Sequence, residues 1–205
     1  MTKIKFIYFD VGGVLILDFS NTNKWQELKN DLGITSATDP EFEAVWQKHR
    51  DRVCLDLDVD KLLTEIQSKT KLKLPSNYSL LNDFVNRFQA NPSIWPVLKI
   101  ARNKYRIGLL TNMYPRMLKA IEEAHLIPNL NWDVVIDSSQ VSKQKPDQEI
   151  FELALEKSGF KKEEILFIDN LEKNTSVAKK LGWQVFCYDD QNPEKASGEL
   201  EDLLQ

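Results

Sequence analysis

Asp10 closes the apolar run FIYF and is followed by Val-Gly-Gly, an acid placed where a strand gives way to a loop. Polar groups stand in similar places at Thr111-Asn112, after RIGLL, and at Asp169-Asn170, after EILFI, while Lys145 lies within SKQKPDQEIF. If the runs are neighbouring strands, one pocket holds a carboxylate nucleophile, a hydroxyl donor, an ammonium group and a second carboxylate. That set suits phosphoryl transfer: an aspartate able to take the phosphoryl group, donors and a cation for its oxygens, and paired carboxylates for a hard divalent ion. The ion matters because a phosphate dianion repels an anionic nucleophile until their charges are offset.

The elements that must position these groups alternate. Short β-branched or apolar runs at 3–10, 106–112, 132–138 and 164–170, with a weaker one at 183–189, read as strands. Between them, 92–105, 114–125, 147–159 and 171–182 have helical periodicity, the last two stopping at Gly159 and Gly182 as helices with a left-handed C-terminal glycine do. The expected class is therefore α/β, a Rossmann-like parallel sheet with helices on both faces and ligands at the strands' carboxyl ends. From about Asp18 to Gln89 only helical patterns occur, among them NKWQELKNDLG and EFEAVWQKHRDRV. This reads as a helical insertion at 18–89 within a core made of 1–17 and 90–205, and the terminal NPEKASGELEDLLQ as a short surface helix or tail.

With 205 residues the chain can form one core plus a small subdomain. A net charge of −4 with scattered Lys and Arg gives no basic footprint for nucleic acid or an anionic membrane. No run approaches the ~20 apolar residues of a membrane span, and the opening apolar run is too short for a signal segment. Cys54 and Cys187 are far apart without metal-type spacing, so buried thiols in a reducing, cytoplasmic setting are expected.

The ordered set resembles the haloacid dehalogenase-like (HAD) superfamily over most of the chain. FDVGGVL looks like its motif I, LLTN like motif II, the Lys of QKPDQEIF like motif III, and ILFIDNLEKNTSVAKKLGW like motif IV; the helical insertion falls where subfamily I carries a C1 cap. The resemblance implies that Asp10 is the nucleophile, that Thr111 and Asn112 hold the phosphoryl group, that Lys145 neutralises it, and that Asp169 binds Mg2+ with Asp10 and the carbonyl of Gly12. The substrate it implies is a small phosphorylated metabolite.

The departures bear on mechanism. Phosphatases of the superfamily usually have a second motif I aspartate, which protonates the leaving oxygen and then activates water; here Gly12 stands in its place. Motif IV has Asn170 beside Asp169, with Glu172 as a nearby substitute. Loss of a general acid/base costs typically 10²–10⁴-fold, so leaving groups stable as anions, from aryl, acyl or sugar 1-phosphates, are expected to be favoured. By this logic Gly12→Asp should raise turnover of alkyl phosphates more than of aryl phosphates. Asp18, His49 and the arginines of HRDR are candidate replacements or substrate contacts, against the alternative of a merely solvated helix face. Asp10 and Asp169-Asn170 can also be read as turn or cap residues, Lys145 as a surface residue, and Trp25 and Trp46 as packing. Two other functions stay open: a metal-independent haloacid dehalogenase-type hydrolase, which needs no second aspartate, and a HAD-fold binding or regulatory module of low turnover. Either a monomer or a homodimer is compatible with the sequence.

Overall fold

The computed structural model describes residues 3–205. Among the described residues there are seven strands: β1 (Phe6–Phe9), β2 (Ile16–Leu17), β3 (Gln89–Ala90), β4 (Arg106–Thr111), β5 (Val134–Asp137), β6 (Ile165–Asp169) and β7 (Gln184–Cys187). Five of them form one parallel sheet in the order β5-β4-β1-β6-β7. All four residues of β1 and all five of β6 are buried, which is why these runs are continuously apolar rather than alternating. The sheet's two faces belong to two apolar clusters, one around Ile7, Phe9 and Leu166, the other around Phe6, Tyr8 and Phe167. Tyr8 brings a hydroxyl into the second cluster and satisfies it by donating to the Ala154 carbonyl at 2.8 Å.

The described residues also form ten α-helices, which surround the sheet or extend from it. Four lie between β2 and β3: α1 (Lys24–Asp31), α2 (Asp39–Val53), α3 (Leu63–Thr70) and α4 (Leu80–Arg87). The rest are α5 (Trp95–Lys104), α6 (Met117–Glu123), α7 (Ser138–Val141), α8 (Gln148–Ser158), α9 (Glu172–Lys180) and α10 (Pro193–Leu204). Helix α8 ends at Gly159 in the left-handed region, φ 73°, and Gly182 beyond α9 has φ 93°.

Three details differ from the sequence reading. The stretch read as free of strands ends in one: β3 pairs antiparallel with β2 and closes the base of the helical insertion. Buried Asn91 fastens that base, donating to the Val14 carbonyl at 2.8 Å and to the Tyr188 hydroxyl at 2.9 Å. The C-terminal helix is not a surface appendage, because α10 packs on α5 with Leu200 and Leu204 buried. Full burial of such a side chain contributes about 1.5–3 kcal/mol. Finally, Cys187 is exposed and Cys54 half-buried, so neither thiol is the buried filler expected of it; both are free.

Candidate active site

Register sets the first distance in the site. Phe9 of β1 pairs with Ile168 of β6, so the next residues, Asp10 and Asp169, leave adjacent strands side by side at the carboxyl edge. On the other flank β1 adjoins β4, whose last residue is Thr111. Lys145 comes from the loop before α8, and Asn112 pins that loop through a paired contact: its Nδ2 donates to the Lys145 carbonyl and its Oδ1 accepts from the Lys145 N–H, both at 2.8 Å.

The Lys145 ammonium stands between the carboxylates, 2.9 Å from Asp10 Oδ1 and 2.6 Å from Asp169 Oδ2. Little solvent reaches these groups, with exposures of 7% for Asp10, 3% for Lys145 and 0% for Asp169. Lys145 Nζ also lies 5.3 Å above the Phe167 ring, a favourable place for a cation. Burial raises the pKa of Asp10 to about 7; the Asp169 charge adds to the rise, and Lys145 only partly offsets both. Burial works against the Lys145 ammonium, yet the two carboxylates outweigh it and hold its pKa above the ordinary lysine value. Asp169 accepts from the Leu171 N–H at 2.8 Å, and Asn174 Nδ2 reaches both its oxygens at 3.1 and 3.0 Å. Asn174 thus supports Asp169. The buried Thr111 hydroxyl has no hydrogen-bond partner within ordinary geometric limits, although it is near enough to favour ionised Asp10. An orphaned buried donor beside a carboxylate is suited to a ligand oxygen.

Two carboxylates face one ammonium in a site where these side chains are almost fully buried. The oxygen donors, Asp10, Asp169 and the Gly12 carbonyl, are of the kind magnesium prefers, and no cluster of three or more acidic, His or Cys groups suited to a metal occurs among the described residues. A site with two protein carboxylates suits magnesium, which keeps waters and substrate oxygens as its other ligands. The residues therefore fit the ion, on condition that one hydrogen bond to Asp169 is exchanged for it.

The other candidates separate. Asn112, expected to hold a phosphoryl group, has its side-chain amide committed to the Lys145 main chain. Glu172 is exposed and does not line the cavity beside Asp10. Asn170 lines it, but its Nδ2 donates to Asp190 at 2.8 Å and packs where a Cβ on Gly13 would stand. His49 is drawn to Glu65, with Nε2 to Oε2 at 2.8 Å, and Arg50 and Arg52 bind Gln47 and Asp56; none of the three lines the cavity. Asp18 does. Its Oδ2 lies 2.4 Å from the position a Cβ on Gly12 would take, so its carboxylate occupies the start of the space that an aspartate at position 12 would fill. Asp18 Oδ1 is held by the Ser20 N–H at 2.8 Å, and burial raises the pKa of this carboxyl. Trp25 and Trp46 face the same cavity with Tyr114 of the core, so they are more than interior packing. Their helical spacing gave no sign of this, because the packing of the insertion over the strand ends depends on contacts distant in sequence.

Comparison with known proteins gives the family and the fold. The family model of haloacid dehalogenase-like hydrolases matches residues 4–182. Acyl-CoA dehydrogenase family member 10 of Mus musculus is 31% identical over 144 residues, 70% of this chain and 13% of that protein. Rhythmically expressed gene 2 protein of Drosophila melanogaster is 38% identical over 84 residues, 39% of this chain and 32% of that protein. The matched stretches thus span a small part of both curated relatives. Among solved structures, the HAD family enzyme bt-2542 of Bacteroides thetaiotaomicron in complex with magnesium and inorganic phosphate has a TM-score of 0.69 at 19% identity, covering 91% of this chain and 95% of that one. A HAD-like family hydrolase of Porphyromonas gingivalis gives 0.70 at 24% identity, covering 91% and 92%. An L-2-haloacid dehalogenase gives 0.63 at 18% identity, covering 89% and 82%. At these identities the structures speak for the fold, while the family model covers most of the chain, including the three strand-end groups and Lys145. The chain belongs to the haloacid dehalogenase-like hydrolases.

Proposed function

We propose that this hydrolase is a magnesium-dependent phosphatase that acts on a small phosphorylated metabolite through an aspartyl-phosphate on Asp10. The observation that carries the reading is the buried ammonium of Lys145 between Asp10 and Asp169, at 2.9 and 2.6 Å. An ammonium so placed favours the ionised form of the nucleophile against its burial and faces the oxygens of an incoming phosphoryl group. When bound, magnesium offsets the charge of the phosphate; Asp10, Asp169 and the Gly12 carbonyl would hold it.

An Asp10 oxygen attacks phosphorus and the bond from phosphorus to the leaving oxygen breaks, its electron pair departing with that oxygen. Thr111 donates its unpartnered hydroxyl to a phosphoryl oxygen, and Lys145 offsets the charge gathering there. Asp18, in the space left by Gly12, gives the leaving oxygen its proton. The resulting Asp18 carboxylate takes a proton from water, whose oxygen attacks phosphorus, releasing inorganic phosphate and restoring Asp10. Helices α1–α4, with 18–89 as their span, act as the cap over this chemistry. Action as a monomer or homodimer in the cytoplasm belongs to the same proposal. Release of phosphate from 4-nitrophenyl phosphate should require Mg2+ and fall at least 10³-fold in Asp10→Asn. Equal turnover by that variant would remove Asp10 from the chemistry.

One observation favours a second reading. Asp169 already accepts hydrogen bonds from Lys145, Leu171 and Asn174, a set complete without a metal. This suits metal-free carbon–halogen hydrolysis through an ester on Asp10. Chloride release from 2-chloropropionate in the presence of a chelator, without phosphatase activity, would establish it in place of the first.

A further inference from the structure

Resting on the phosphatase reading, we propose that the group leaving from phosphorus is a flat aromatic ring, so that the substrate class is an aryl phosphate monoester. The cavity that opens from Asp10 and Lys145 has a volume of about 240 Å3. That is below the ~300–1,000 Å3 of sites for drug-sized ligands, so the occupant is small. Six rings stand in its wall, Phe19, Trp25, Trp46, Phe84, Phe88 and Tyr114, beside the aliphatic Ile16, Met113, Met117 and Leu171.

These rings brace one another. Trp25 and Trp46 have centroids 4.8 Å apart, Phe19 meets Phe84 edge to face at 5.4 Å, and Trp46 meets Tyr114 edge to face at 6.1 Å. The indole N–H of Trp25 donates to Glu43 at 2.8 Å, a residue outside the cavity wall, so this donor is not offered to an occupant.

Most of the wall's polar side chains are already engaged with the protein, and the Ser20 and Tyr114 hydroxyls also stand on it. Asn112 is bound to the Lys145 main chain, Asn174 to Asp169, Asn170 to Asp190, and Asp18 stands against Gly12. Lys173 and Lys145 are the cations on the wall, which has no arginine or histidine among the described residues. A sugar ring buried here would lose water from each hydroxyl with few partners in exchange, and a second phosphate would find no arginine. A flat ring instead gains stacked and edge contacts, with its ester oxygen directed to the end that holds Asp10. A phenolate is also a more stable anion than an alkoxide, so the same ring eases bond cleavage at a site whose position 12 is glycine.

The test measures kcat and KM with Mg2+ for phenyl phosphate, acetyl phosphate and glucose 1-phosphate, in the wild type and in Trp46→Leu and Phe19→Leu. Acetyl phosphate carries a good leaving group without a ring, so it reports the phosphoryl-transfer centre itself. The wild type should show its lowest KM on phenyl phosphate. Each variant should lower the ratio of kcat/KM for phenyl phosphate to that for acetyl phosphate by about tenfold, mainly through KM, as loss of a ring contact and its buried area would. A ratio discounts any fraction of misfolded variant. An unchanged ratio in both variants, or a lower KM for glucose 1-phosphate than for phenyl phosphate, overturns the proposal while leaving the phosphatase reading in place. Absence of turnover with all three substrates defeats the phosphatase reading, and the proposal with it.

Discussion

At the residue scale the contact between Gly12 and Asp18 changes what a simple repair of motif I should do. An aspartate at position 12 was expected to raise turnover of alkyl phosphates, but its Cβ would stand 2.4 Å from Asp18 Oδ2. Gly12→Asp should therefore lower the melting temperature modestly, by forcing the Asp18 carboxylate aside, and leave alkyl phosphate turnover no higher. The double variant Gly12→Asp with Asp18→Ser should regain both, and Asp18→Asn alone should slow alkyl phosphates about 10²-fold and nitrophenyl phosphate far less. Steady-state rates on the ester pair with thermal melts check all three. A second effect concerns Asp10, whose native pKa is raised to about 7, chiefly by burial. An acid with a native pKa above its unfolded value of ~3.9 binds its proton more tightly when folded, so its stability contribution is present below ~4 and is lost as pH rises to 7. Without metal, Asp10→Asn should melt several degrees above the wild type at pH 8, and the gap should narrow at pH 5. A gap that widened on acidification would contradict the buried-carboxylate account.

At the element scale, the groups on the sheet were legible because each closes an apolar run or sits one step past it, a local pattern that survives in any α/β arrangement. Asp10, Thr111 and Asp169 could be read for that reason. The pinning of Lys145 by Asn112 could not, since it joins residues 33 apart, and neither could the position of Asp18, which depends on the short β2–β3 pairing. The packing role of α10 was hidden by its polar composition, which conceals a spaced set of Ala196, Leu200 and Leu204. The helical insertion meets the core through α4 against α6 and through Arg116, whose guanidinium binds Asp58 at 2.7 Å and Asp60 at 2.8 Å. Asp60 in turn accepts from the Ser79 hydroxyl at 2.9 Å and the Leu81 N–H at 3.1 Å, so it also braces the start of α4. Arg116 is half exposed, and its pairs contribute at most about 1 kcal/mol to stability. Arg116→Ala should therefore melt close to the wild type, yet raise KM several-fold and speed amide exchange across residues 58–62 and the first turn of α4. Unchanged KM and exchange would show that this contact does not hold the insertion in place.

At the scale of the whole molecule, a parallel sheet brings polar groups from distant parts of the chain to one edge, and four helices between β2 and β3 enclose an aromatic chamber beside them. No helix among the described residues is long and apolar enough to cross a membrane. Under the proposed function the labour would divide accordingly: the sheet edge would concentrate charge at phosphorus, and the insertion would supply apolar surface for the rest of the substrate. The most direct measurement is mass mapping of the protein quenched in acid during Mg2+-dependent turnover of 4-nitrophenyl phosphate. A phosphoryl group on the peptide that contains Asp10, absent from Asp10→Asn, is the predicted result. Sustained turnover with no phosphoryl adduct on that peptide, or an adduct located elsewhere, would contradict it.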